Sequence, residues 1–281
     1  MAKVLSLTGV DAAQLLLADV DLSRCRFAGA HHLDQIRREG VWRFGGPPPG
    51  VRWRYGTPRW WSRRMVLGEE RAWRSSSSSP SAARRGWSIP GEDLGEAPGP
   101  VTLTSLYRQL RKSFEDAKDE PGAADFYYGE MEMRRHSAGL PRGERVLLHL
   151  YWVFSGYGMR ASRALVWLGA AVATTVVLMM GIGLPDTSPR QLAIGTVPPV
   201  GSRITLPIGT QEPELTLPFG DRFTAERLDR SLRVVLNSVV FRSSGQDLTA
   251  WGTYTEMAAR FTEPVLLGLA ALAVRGRLKR G

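Results

Sequence analysis

The first thirty residues repeat on a period of five. Every fifth position from Leu7 gives Leu7, Ala12, Leu17, Leu22, Phe27 and His32. The positions two before these are Leu5, Val10, Leu15, Val20, Cys25 and Ala30, and eleven of these twelve residues are apolar. The residues between, among them Thr8, Gly9, Asp11, Gln14, Asp19, Asp21, Ser23 and Arg24, are polar or small. Neither a helix nor a flat strand has this period. A short fixed period marks a repeat whose units stack into one continuous core. The pattern puts Leu7, Leu17, Val20, Leu22, Cys25 and Phe27 in the core of a coil spanning residues 1–36.

From residue 102 the period becomes helical. Leu103, Leu106, Tyr107, Leu110, Phe114 and Ala117 share one helix face. Asp119-Glu120-Pro121-Gly122 breaks the run, and a second helix starts at Ala123, with Glu130 and Arg134 spaced to pair. Residues 101–158 therefore read as a helical hairpin followed by an interfacial helix. Ala164–Leu184 then runs 21 residues without a charge. As a helix it covers roughly 30 Å, the thickness of a bilayer's hydrocarbon core. Trp152, Tyr157, Arg160 and Arg163 stand at its start as interface anchors. Residues 160–185 are thus the first predicted transmembrane helix.

Residues 186–250 form an external loop rich in Pro, Gly and Thr, with strand-like pieces at 203–206 and 215–217. Within it, 223–242 predicts a helix carrying Leu228, Leu232, Val235, Leu236 and Val239 on one face. The last apolar run, Val265–Val274, is ten residues, about 15 Å of helix and too short to cross. Begun near Trp251, a helix over 251–274 reaches about 36 Å and spans. It then carries Glu256, Arg260 and Glu263 on one face, opposite in sign in succession. Intramembrane charges face protein or water rather than lipid, so this stripe is a pore or helix–helix interface candidate.

Charge orients these segments. The chain has 37 Lys and Arg against 27 Asp and Glu, for 281 residues. Residues 1–163 hold 25 basic and 18 acidic side chains, whereas 185–250 hold seven of each. The tail 275–281 adds Arg275, Arg277, Lys279 and Arg280 with no acid. The positive-inside rule then puts both termini in the cytoplasm, in a multi-pass protein of the plasma membrane. Asp11 interrupts the apolar start, so no cleaved signal peptide is expected.

Residues 37–100 read as a largely disordered linker, with Gly45–Gly50, Ser75–Ser79 and Pro98-Gly99-Pro100. Embedded in it are Trp42, Arg43, Trp53, Arg54, Arg59, Trp60, Trp61, Arg63, Arg64, Trp73 and Arg74. Trp at an interface and Arg on phosphate suit contact with anionic lipid, against the plainer reading of a basic linker with local packing. Nucleic acid is not an expected partner.

Residues Val20–Gly29, VDLSR-CRFAG, resemble the pentapeptide repeat. The runs YRQLRKSFEDAKDEPGAADFYYGEMEMRRHS, LYWVFSGYGMRASRAL and PVLLGLAALAVRGRLKR resemble a group of bacterial pentapeptide-repeat membrane proteins. The resemblance implies a right-handed β-helix at the start, four repeats to a square turn. Members usually carry more repeats upstream, so this chain is expected to be a short member, open to N-terminal truncation. The fold class is mixed: a short pentapeptide-repeat β-helix remnant, a disordered linker, a cytoplasmic α-helical hairpin and two transmembrane helices.

No catalytic signature appears. G-x-S-x-G, a Walker loop and H-E-x-x-H are absent. Glu130 and Glu132 share no helix face with each other, and the adjacent His31 and His32 diverge, so neither a metal nor another cofactor is expected. One Cys excludes a disulfide framework. The expected function is non-enzymatic: an interaction or scaffold module held at the inner face of the plasma membrane, self-associating or docking a protein. The alternative is a small oligomeric two-helix channel or transport component. The Thr-Val-Gly-Tyr-Gly type of filter is missing, and Phe241-Arg242-Ser243-Ser244-Gly245 stands in that place.

Overall fold

The structure, a computed structural model, describes residues 1–48, 51–54, 57–60, 63–76, 87, 97–186, 191–193, 208–210, 215–241 and 247–278. Helices dominate. The chain divides into two compact units: Met1–Met159 with Gly276–Gly281, and Arg160–Arg275.

The first unit opens with a three-stranded parallel sheet in the order β1 (Ala2–Lys3), β2 (Leu16–Asp21), β3 (Arg37–Arg43). Parallel bridges outside these strands join Ser6 to Arg26 and Asp11 to His31, in each case 20 residues on. Between strands the chain turns every five residues. The amides of Val10, Leu15, Cys25, Ala30 and Gln35 donate to the carbonyls of Leu7, Ala12, Leu22, Phe27 and His32. Asp11 and Asp21 tighten two of these corners by accepting from the amides of Ala13 and Ser23. Leu7, Ala12, Val20, Leu22, Cys25 and Phe27 are buried and Leu17 is half-buried. Leu5 and Val10, on the same five-residue spacing, are exposed, and Leu15 is half-buried, so the spacing marks only part of the inward set.

Parts of the stretch expected as a disordered linker form regular structure. β3 lies in it, and Trp42 is buried with its indole N–H donated to the Leu17 carbonyl. A backbone ribbon pairs β4 (Val51–Arg54) with β5 (Thr57–Trp60). Val66 bridges back to Gly45, and α1 (Gly68–Ser76) packs inside the unit. Composition hid this because the apolar residues Trp42, Phe44, Val66 and Leu67 are scattered among Pro, Gly and Arg. Much of the serine and proline-rich remainder lies outside the described residues.

The helical hairpin is α2 (Pro100–Asp116) and α3 (Glu120–His136). Asp119 caps α3 by accepting from the Gly122 amide. Leu103, Leu106, Tyr107, Leu110 and Phe114 are buried as the helical period requires. They join Phe27, Phe44 and Phe126 in one aromatic core, with Phe114 stacked on Phe126 at 4.8 Å. Gly129 and Gly122 let the rings of Tyr107 and Phe114 lie on α3, since a Cβ at either position would come closer than 3.0 Å to those rings. α4 (Arg142–Ser155) follows and ends on Gly156 in the left-handed conformation.

The second unit holds α5 (Ala161–Leu178), a π-turn over Met179–Gly183, α6 (Ala225–Phe241) and α7 (Ala250–Leu278). Two helical stretches, Ala161–Gly183 and Ala250–Arg275, are long and apolar enough to cross a membrane by length and composition. In the loop, β6 (Gln191–Ala193) pairs antiparallel with β7 (Ile208–Thr210). Leu215–Leu217 is not a strand, and 203–206 lies outside the described residues.

Candidate functional site

The C-terminal end of α5 is the junction of the second unit. Arg227, at the start of α6, donates to the carbonyls of Met180 and Leu184 and pairs with Asp186. Further along α6, Val234 packs on Met179 and Leu184, and Val235 on Val172, Val176 and Met180. As α6 advances from 227 to 235 its contacts retreat from Leu184, just past the π-turn, to Val172 on α5. The two helices therefore run side by side in opposite directions, over about 12 Å of helix. The face expected to be buried on α6 is only partly so. Val235 is buried, but Leu228, Leu232 and Leu236 are exposed, because Arg227, Ser231 and Val234 take the inner face. Satisfying the open carbonyls at the end of α5 fixes that rotation.

α7 returns along the same junction. Thr249 donates its hydroxyl to the Ile182 carbonyl, and its amide to Gly183. Gly252 lies against Gly183 so closely that a Cβ on it would stand 2.5 Å from the Gly183 oxygen. Of the expected charged stripe, Glu256 and Arg260 pair at 2.8 Å. Glu263 turns elsewhere: it is fully buried and accepts from the Thr175 hydroxyl of α5 at 2.9 Å. The stripe is thus a helix–helix contact within this chain at Glu263 and a local ion pair at Glu256–Arg260. Pro264 lies inside the continuous α7.

The first unit contains a second constellation, in which Glu70 is fully buried. Its Oε1 accepts from Arg64 Nη2 at 2.5 Å and Arg74 Nε at 2.7 Å; its Oε2 accepts from Arg64 Nη2 and the Tyr107 hydroxyl. Arg74 continues to Glu132, which also accepts from Arg135 and, on its other oxygen, from the Tyr157 hydroxyl. Three guanidinium groups meet two carboxylates. The excess cation is shared with aromatic faces: Arg64 lies over the Tyr128 ring, Arg74 over Trp87 at 4.8 Å, and Arg135 over Trp152 at 4.4 Å.

Burial acts to raise the Glu70 carboxyl, but the guanidiniums of Arg64 and Arg74 outweigh it and hold the group down to about 2. Glu132 is lowered in the same way, with Arg135 and Arg74 overcoming its burial. Burial depresses His136 against the pull of Glu132. The Tyr107 and Tyr157 hydroxyls are driven up, first by burial and then by the adjacent carboxylates, so both stay protonated donors.

Sequence reading missed Glu70 because it lies in the stretch read as linker. Its available signal was local: Glu70 and Arg74 stand four apart just after Gly68. The same network relocates two expected anchors. Tyr157 is fully buried on Glu132, and Trp152 donates to the Tyr128 hydroxyl, so both face α3. Arg64 and Arg74 are engaged inside the unit, whereas Arg43 and Arg63 are exposed. Arg160 and Arg163 are half-buried and Arg275 is exposed; the Arg277 side chain, Lys279 and Arg280 lie outside the described residues, as do 242–246.

Glu69, beside Glu70, docks the helix to the segment between β2 and β3. Its Oε1 accepts from the amides of Phe27 and Ala28 at 2.6 and 2.8 Å. Cys25 lies beneath; burial, with Glu69 nearby, pushes its thiol up to about 12. In folded protein Cys25 is expected to react with a maleimide no faster than the unit unfolds. Labelling at the rate of a free thiol would contradict that packing. Among the described residues no group of three His, Cys, Asp or Glu side chains could hold a metal ion. Comparison with protein-family models, curated proteins and solved structures finds no match for this chain.

Proposed function

We propose that this chain is a membrane-anchored, non-enzymatic interaction protein. Its N-terminal unit, built on a short pentapeptide-repeat coil, would dock a protein partner at the inner face of the plasma membrane. One observation carries this reading: two membrane-length helices follow a separately packed unit. The coil is supported by the 20-residue offsets of the bridges, the turn every fifth residue and the inward Leu7, Leu22 and Phe27. A coil this short does not bury its own core. Here Glu69 and the hairpin close it, leaving its outer edges to a partner.

The topology follows from the charge bias. A cytoplasm-only fluorescent reporter and an exterior-only phosphatase, fused in turn to Gly281 and to a truncation at Gly209, test it. The expected result is Gly281 inside and Gly209 outside. Gly281 outside would reduce the protein to a single-pass anchor.

A second reading, an oligomeric two-helix channel-like component, is favoured by α6. It runs back along α5 from the loop end, so helix, half-helix and helix follow in the order of a two-helix pore. Ion flux from liposomes, lost on Glu256→Ala with Glu263→Ala, is its expected result; well-inserted protein without flux removes it.

A further inference from the structure

α4 has two apolar faces, and among the described residues only one packs against the rest of the fold. Leu148 and Trp152 pack on Tyr127, Tyr128, Met131 and Tyr157. Val146, Leu147 and Leu150 are exposed, Leu147 at 66%, while Tyr151 at their edge rests edge-on against Tyr157. The three exposed residues recur at the helical spacing of one and three, a short stripe on the opposite side. Glu144 and Arg145 turn into the fold, while the exposed Arg142 and His149 border the stripe beside Val146. Glu144 pairs with Arg134, and Arg145 donates to the carbonyls of Ser137, Ala138 and Leu140.

Two observations say what covers this stripe. Only Gly156–Arg160 separate α4 from α5, the first membrane-length helix. That tether extends at most about 20 Å, so the C-terminal end of α4, with Leu150, is held near the headgroups. Charge agrees: residues 140–163 hold Arg142, Arg145, Arg160 and Arg163 against Glu144 alone. We infer that the Val146–Leu147–Leu150 face of α4 rests in the headgroup layer of an anionic bilayer. This rests on the membrane reading of α5 and deepens it: the lipid surface is the partner of the first unit. An amphipathic helix of this kind buries its apolar face about 5–10 Å into the headgroup boundary. Trp152, facing the other way, then joins the hairpin to the helix that lies on the lipid.

The test uses the full chain in nanodiscs of mixed anionic and zwitterionic lipid, with a spin label on one introduced cysteine at a time. Cys25, buried and unreactive, is left in place. Leu147→Cys and Leu150→Cys report the stripe, Val166→Cys reports α5, and Asp116→Cys, exposed at the end of α2, reports water. The expected result is that labels at 147 and 150 favour oxygen over a water-soluble nickel chelate, as at 166 and opposite to 116. In purely zwitterionic discs the labels at 147 and 150 shift toward the chelate while 166 does not. Lipid-like 166 with water-like 147 and 150 overturns the inference and leaves the membrane reading standing. Water-like 166 overturns both. Labels at 147 and 150 shielded from both reagents overturn it in favour of protein contact, and sharpening on dilution with unlabelled chain identifies a second copy. No response to lipid charge overturns the anionic requirement.

Discussion

Replacing Glu70 by glutamine is expected to destabilise the N-terminal unit by about 3–5 kcal/mol, the cost of stranding a buried charge. The amide keeps the shape but leaves Arg64 and Arg74 without their common counter-ion, and offers them one acceptor oxygen where the carboxylate gives two. For a unit of this size that corresponds to a fall in melting temperature of roughly 10 °C, readable by circular dichroism in detergent. Glu226→Gln, which breaks an exposed pair with Arg230, is expected to cost under about 0.5 kcal/mol. Equal melting temperatures for the two variants would show that the buried network does not hold the unit together.

The same group sets an acid dependence. Glu70 sits at about 2 in the folded unit against 4.5 ordinarily. Its contribution is therefore complete above pH 4.5 and is lost as pH falls from 4.5 toward 2. Glu132, also lowered, acts in the same direction below 4.5. His136 is depressed from 6.5, so its contribution is present above 6.5 and declines as pH falls below it. Glu69 opposes them, since burial raises it and its ionised form is the one disfavoured by folding. The expected profile is a melting temperature that slips below pH 6.5 and falls steeply below 4.5. In Glu70→Gln the second fall becomes shallower.

Gly252→Val is expected to part the two membrane-length helices. A Cβ at this position meets the backbone of Gly183 at 2.5 to 3.0 Å, which cannot rotate away as a side chain could. Overpacking of this kind costs about 1–3 kcal/mol. It also pulls Thr249 from the carbonyls of Ile182 and Gly183, and Glu263 from Thr175. Gly268→Val, on the same helix but in open space, is the control and is expected to be neutral. A disulfide introduced between neighbouring positions of α5 and α7 reports the spacing: its yield drops for Gly252→Val and holds for Gly268→Val. Equal yields would mean that the helices do not meet at Gly183 and Gly252.

Local pattern was enough to place the periodic elements. The period of five marked the buried Leu7, Ala12, Val20, Leu22, Cys25 and Phe27, because the turns that follow Leu7, Ala12, Leu22 and Phe27 share one local geometry, but it also marked Val10, which is exposed. The 3.6-residue period located α2, and uninterrupted apolar length located the first membrane-length helix, because both properties depend on neighbours within a few turns; the second was placed only by extending a ten-residue apolar run back through three charges. What distance in sequence separates, only the tertiary structure decided. Glu70 meets Tyr107 across 37 positions, Arg74 meets Glu132 across 58 and Thr175 meets Glu263 across 88. A buried charge must be paired, but nothing in the chain's local pattern says with which partner, since the desolvation cost that forces the choice exists only after the core has closed. The same holds for Trp152 and Tyr157. Their amphipathic chemistry suits a membrane interface and a buried hydrogen bond equally, and the position of Glu132 and Tyr128 on α3 settled it for the interior.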